Sequence, residues 1–197
     1  MRKRLIVCIL TILLLTTGGL AVSPWEAQAP TPGSSPFSPA SVGVPVASII
    51  ECGEGYTSHE LYDAKITLLE VVRGEKAWDL LKKAATTNEP PKAAFEYILA
   101  RIMFQYSARG LPGNCGHELK ANEFTALSVS GKKYETPSVV VPKPELSGRL
   151  HSGDSLEGWV AFLVAKDDSK PLVAFTADPA GAVQHGGNIW FQLYPAP

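Results

Sequence analysis

Charge of one sign, histidine and cysteine are all scarce in this chain. The 197 residues carry 18 Lys and Arg against 19 Asp and Glu, a formal charge of −1, with no long run of either sign. A surface so balanced offers no basic patch, and a nucleic-acid partner is not expected. Only four histidines and three cysteines are present. Cys115 and His117 make a lone Cys-x-His with no second pair, too few ligands for a tetrahedral zinc site. His59-Glu60 and His117-Glu118 open like the zinc-protease signature. That chemistry needs a second histidine four residues on, where this chain has Asp63 and Ala121, so both read as surface histidines. His151 and His185 read as isolated loop residues.

Other signatures are missing as well. No Gly-x-Ser-x-Gly occurs, which removes the nucleophile elbow of the common hydrolases, and Ser130 and Ser155 read as turn serines. Gly53-Glu54-Gly55 lacks the further glycine and the following helix of a phosphate loop. Asp154, Asp167, Asp168 and Asp178 have no calcium-loop spacing and read as turn residues. No catalytic residue, metal or cofactor is expected. Strand-helix-strand alternation is absent too, which argues against a parallel sheet.

What is present begins at the N-terminus. Arg2, Lys3 and Arg4 precede an apolar run from Leu5 to about Val22, and Ala27-Gln28-Ala29 offers a small-x-small cleavage pattern. This is the layout of a secretory signal over residues 1–29, and it places the protein outside the cytoplasm, secreted or on the cell envelope. A retained signal-anchor is the competing reading. The run is just long enough to span a bilayer, and Pro30 is a poor residue to cut before. The membrane is a partner only in that second case. Cys8, near the start of the apolar run with no small residue just before it, is not a lipid-attachment cysteine.

Without residues 1–29, which carry Arg2, Lys3, Arg4 and Glu26, 15 Lys and Arg face 18 Asp and Glu, a charge of −3 on 168 residues. That length suits one domain with a real core. Cys52 and Cys115 are then the only cysteines, and an even pair in an oxidising compartment predicts one disulfide. Residues 30–45 hold five prolines among small and polar residues, and read as a disordered linker.

The domain is read as residues 46–197. Val46–Ile50 is a short strand candidate. In 60–72, Ala64, Ile66, Leu68 and Val72 are expected on one face. The period then changes: Ala77, Leu81 and Ala84, with Trp78 and Ala85, predict a helix over 75–85 that ends before Asn88-Glu89-Pro90-Pro91. Strands return at 95–107, with Ile98, Ala100, Ile102, Phe104 and Tyr106 on one face. Others follow at 123–129, at 138–141 as an edge between Pro137 and Pro142, at 156–164, at 171–176 and at 188–194. Many short strands with frequent turns predict an all-β, antiparallel, immunoglobulin-like sandwich with one short helical insertion.

Three stretches carry a resemblance. They are Arg73-Gly74-Glu75-Lys76-Ala77-Trp78 leading to Asn88-Glu89-Pro90-Pro91, then Phe95 to Ile102, then Leu150 to Phe162 with its Gly158-Trp159-Val160-x-Phe162. Together they resemble the telokin-like, immunoglobulin-like extracellular domains of unknown function found in many bacterial secreted proteins and lipoproteins. The likeness covers about residues 60–194. It implies a binding or accessory module, not a catalyst; one departure is that this chain lacks a lipid-anchor cysteine.

In the third stretch, Ser152-Gly153-Asp154 reads as a turn into a strand where Gly158 permits close backbone approach. Adjacent Trp190 and Phe191 must face opposite sides of their strand, so one of them leaves the main core unless the helix covers it with Trp78 as anchor. Trp159, Trp190 and His117 are the candidate binding surface. The expected function is a secreted or cell-surface, non-catalytic module for an unknown extracellular protein or envelope polymer. The competitors are a structural accessory subunit of an envelope assembly and an extracellular hydrolase with an unrecognised site.

Overall fold

The described residues run in the order β1 (Pro45–Cys52), β2 (Glu60–Arg73), α1 (Glu75–Ala84), β3 (Phe95–Ala108), β4 (His117–Leu119), β5 (Phe124–Leu127), β6 (Gly148–Leu150), β7 (Ser155–Ala165), β8 (Leu172–Phe175), β9 (Ala182–His185) and β10 (Ile189–Gln192). The computed structural model describes residues 29–52, 60–110, 115–177, 182–185 and 187–194; the expected signal segment lies outside them. Five strands form one sheet in the order β7-β3-β2-β1-β9, three form a second in the order β10-β8-β5, and β4 pairs with β6. All of these pairings are antiparallel. The fold is an antiparallel β-sandwich with one short helix, as the strand periodicity predicts.

Alternation explains the core. Ile98, Ala100, Ile102, Phe104 and Tyr106 of β3 all point inward and are buried. They meet Val160, Phe162 and Val164 of β7, Phe124 of β5, Phe175 of β8 and Phe191 of β10. β2 keeps the same phase through Ala64, Ile66 and Leu68 and then loses it. Its register with β3 steps from Leu68 opposite Ile102 to Glu70 opposite Arg101, leaving Leu69 as an extra residue. Such a bulge flips every later side chain to the other face. Val71 therefore joins the main core, and Val72, expected there, joins the opposite cluster instead.

That second cluster lies under α1. Ala77 and Leu81 are fully buried against Tyr97, Leu99 and Ala161, with Trp78 at the margin. Gly74 begins the helix at a φ of +68°, a backbone setting that suits glycine. Glu75 in the first turn and Lys82 and Lys83 in the last complement the helix dipole. Asn88 closes the other end, its Nδ2 donating to Leu81 O at 2.7 Å. The helix lies over the outer face of β2 and β3, and its cluster reaches Ala161 of β7. It does not cover Trp190, whose strand belongs to the sheet across the core.

Two segments depart from expectation. Residues 138–141 form no strand. They lie as an extended strap over the helical cluster, with Asn88 accepting from Val140 N and donating to Val140 O, both at 2.8 Å. Val139 and Val141 pack inward. The strap continues through a cis Lys143–Pro144 bond to a parallel bridge between Glu145 and Trp159. Of residues 30–45, read as a disordered linker from their composition, Pro45 opens β1 and 30–44 lie along β10. Trp190 N donates to Gly33 O at 3.0 Å, Ala40 N to Trp190 O at 2.8 Å and Gln192 N to Ala40 O at 2.9 Å. Ala40 is fully buried. The segment buries little apolar surface, but the open edge of β10 supplies backbone partners, and small residues fit close against it. Three sheet edges are thus closed by short bridges: β10 by Ala40, β5 by Lys133 and β7 by Glu145.

Candidate functional site

Cys52, at the end of β1, is disulfide-bonded to Cys115, just before β4, with Cα atoms 6.3 Å apart. The bridge ties the five-stranded sheet to the β4–β6 pair and marks one end of the sandwich. A disulfide is at home in an oxidising, extracytoplasmic compartment.

Two residues further on, His117 is 5 % exposed and not a surface residue. Its ring stacks on Phe104 at 5.6 Å between centroids and sits beside Tyr106 at 5.8 Å. Its Nε2 lies 3.0 Å from Glu123 Oε2, and Glu123 is itself buried. Glu123 is fixed from its other side, where Oε1 accepts from Lys120 N at 3.0 Å in the single 3₁₀ turn Ala121–Glu123. The polar seam continues through Tyr106, which stacks on Tyr62 at 4.5 Å, to Glu60, which accepts from the Tyr62 hydroxyl. Apart from the Tyr106 hydroxyl, the polar groups of this line are paired, and all but Glu60 are buried. The line braces the end of the sandwich where the disulfide sits.

One group in the seam is unpaired. The buried Tyr106 hydroxyl finds no hydrogen-bond partner among the described residues. Burial, reinforced by Tyr62 and Glu60, pushes its phenol well above the usual tyrosine range. An unsatisfied buried hydroxyl costs free energy, so Tyr106→Phe is expected to leave stability at neutral pH unchanged or to raise it by about 1 kcal/mol. The unfolded phenol ionises near pH 10 while the folded one keeps its proton. Wild-type stability therefore falls as pH rises above about 10, and the variant loses less. Urea unfolding at pH 7 and near pH 11 checks both statements. A clear loss of stability in the variant at pH 7 would show that the hydroxyl has a partner after all.

The two expected tryptophans lie on different sheets. Trp190 is half-buried on β10 beneath the 30–44 segment. Trp159 is half-buried on the outer face of β7, at the margin of the helical cluster. Arg101 stands over its ring, 5.9 Å from the centroid. Arg101 Nη1 donates to Glu157 Oε1 at 3.0 Å, and its Nε sits 3.3 Å from Glu70 Oε2 as an ion pair without hydrogen-bond alignment. Residues opposite one another in the register, Lys65, Gln105 and Ser155, are exposed beyond this group. Half of the outer face is therefore open among the described residues.

The remaining expected residues do not gather. His59 lies outside the described residues, as do Asp178 and the side chain of His185. Asp63 pairs with Arg109 at 2.7 Å on the outer face, and Glu118 is exposed. His151 and Asp154 hold the turn before β7, where His151 N donates to Asp154 Oδ2 at 2.8 Å. Asp168 accepts from the Tyr134 hydroxyl at 2.7 Å and from Lys170 N at 3.1 Å.

Three solved structures are similar to this chain at low sequence identity. A protein of Bacillus subtilis subsp. subtilis str. 168 (ycdA), provisionally classed as a lipoprotein, is 12 % identical, with a TM-score of 0.47 over 66 % of this chain and 35 % of that one. The yjhA protein from Bacillus subtilis is 9 % identical, with a TM-score of 0.42 over 70 % of this chain and 80 % of that one. A functionally unknown protein from Listeria monocytogenes EGD-e is 11 % identical, with a TM-score of 0.34 over 86 % of this chain and all of that one. This chain spans about a third of the first of them. No family model matches the chain, and no curated protein is similar to it.

Proposed function

We propose that this protein is a non-catalytic binding module of the telokin-like, immunoglobulin-like kind, working outside the cytoplasm. It takes its ligand, an envelope polymer, on the open half of the outer face of the five-stranded sheet. The observation that carries this reading is the placement of Trp159. Its ring is held at the border between the covered and the open half, with Arg101 fixed over it between two carboxylates. An aromatic set beside ordered polar groups on a flat sheet gives a partner both apolar contact and hydrogen bonds at little entropic cost. The titratable pair His117–Glu123 is interior and has a structural role in this reading.

Co-sedimentation with purified cell-wall sacculi tests the reading. Trp159→Ala and Arg101→Ala are each expected to weaken binding about tenfold, which corresponds to loss of one anchor residue. Lys83→Ala, on the exposed side of α1, serves as the control and leaves binding unchanged. Equal binding by all three variants would sink the proposal.

A further inference from the structure

The segment that covers β10 has a property its role in the sheet does not require. From Ala27 to Ile50 the chain carries no Asp, Glu, Lys, Arg or His. Within this neutral stretch Phe37 is 96 % exposed and Val42 is 42 % exposed. A lone apolar residue on a protein surface is ordinary. Phe37 differs because a pinned turn holds it out. Gly33 N donates to Ser38 O at 2.6 Å, Ser38 N donates to Ser35 O at 3.1 Å, and Gly33 O accepts from Trp190 N. Gly33 is itself packed so closely that a Cβ there would stand 2.6 Å from Val46 Cγ2. The phenyl ring thus projects from an ordered base, and its exposure is built in.

The chain upstream decides what the ring meets. Arg2, Lys3 and Arg4 precede the apolar run Leu5–Val22, and Trp25 follows it. This run of 18 residues, interrupted by Thr11, Thr16, Thr17, Gly18 and Gly19, is just long enough to cross the hydrocarbon of a bilayer if it is retained, and the basic start favours the cytoplasmic side. Residues 23–32 then link the run to the pinned Gly33, a reach of at most about 35 Å. With the run retained, a turn tethered that closely would lie at the outer leaflet. A neutral surface has no charge to desolvate there, and a phenyl ring at the boundary between headgroups and acyl chains leaves water for an apolar phase.

We propose that the exported chain keeps its apolar N-terminal run in the bilayer and rests the Gly33–Ser38 turn, Phe37 foremost, on the outer lipid surface. The proposal goes beyond the ligand reading. It concerns the other sheet, and Trp159→Ala leaves it untouched.

The test has two arms. The first is the N-terminal mass of the chain recovered from cells, which is expected to include the apolar run; a chain that has lost the run, whether it begins at residue 22 or at residue 30, overturns the proposal. The second reconstitutes the full chain into phosphatidylcholine–phosphatidylglycerol vesicles, with an environment-sensitive fluorescent amino acid at position 37 in one variant and at position 129 in another. Val129 is 72 % exposed in the turn after β5, at the far edge of the same sheet. The probe at 37 is expected to shift to the blue and to be quenched by lipids brominated near the headgroup several-fold more than the probe at 129. Equal quenching at the two positions overturns the proposal. So does a blue shift at 37 that brominated lipid does not quench and that grows with protein concentration, because it marks self-association instead.

Discussion

Replacing both Cys52 and Cys115 by serine is expected to lower stability by about 4 kcal/mol, the chain-entropy value for a cross-link of this loop length. The two residues are 63 apart in sequence, and the bridge removes that loop from the freedom of the unfolded chain. For a domain of this size the loss corresponds to a fall in Tm of roughly 10 °C. The folded state also relies on the bridge locally. β4 is three residues long and, among the described residues, its only strand partner is β6, equally short. With the bridge gone, His117 and Leu119 are held by packing, the short ladder to β6 and the contact of His117 with Glu123. Amide exchange in the double variant is therefore expected to rise first over residues 115–123 and 148–150, at denaturant concentrations where β3 stays protected. Calorimetry of the variant and of the reduced wild type checks the magnitude. A change in Tm of a degree or less would refute the account.

Gly158→Ala is expected to cost about 3 kcal/mol, at the upper end for overpacking. A Cβ at this position would lie 2.4 Å from Leu146 N, 2.5 Å from Glu145 C and 2.7 Å from Glu145 O. These are backbone atoms, so no rotamer change relieves the clash. The strap must move away from β7, which breaks the bonds from Trp159 N to Pro144 O at 2.9 Å and from Leu146 N to Trp159 O at 3.2 Å. Leu146, fully buried in the main core, is drawn out with it. Chemical denaturation gives the cost. The amides of Leu146 and Trp159 should lose protection even where the variant remains folded. A variant with native stability would mean that the strap sits further from β7 than described.

Much of the architecture was legible because it rests on long runs of one period. β3 alternates over 14 residues, and every inward residue expected from the pattern is in the core. The helix announced itself by a change of spacing and was bounded by Gly74 and Asn88. Gly158 was read as a site of close approach, and Leu146 and Glu145 are what approaches it. The failures have physical causes. Val72 falls after a bulge that nothing in local composition marks. β4, β6 and β9 are three or four residues long, too short to show a period. The 30–44 segment lacks the apolar content that usually signals order, and its partners come from a strand 150 residues away.

The candidate site was legible only in part. Trp159 follows from alternation, since Val160 and Phe162 point inward. Its partner Arg101 is set by register with β3, which sequence alone does not fix. His117 was misplaced because a lone histidine beside a glycine reads as a loop. The clue was Glu123, six residues on, which a single 3₁₀ turn brings back against the imidazole.

The 30–44 segment also bears on how this protein behaves when crowded. Its Ala40 bridge occupies hydrogen-bonding groups on one rim of the smaller sheet. A shortened chain that started at residue 46, where the alternating pattern of the sequence begins, would leave that rim bare. Such a rim is a template on which a neighbouring molecule can zip, and the product would be stacked chains and precipitate. The residues that look most like dispensable packaging are thus a guard against self-adhesion, worth retaining in any trimmed version.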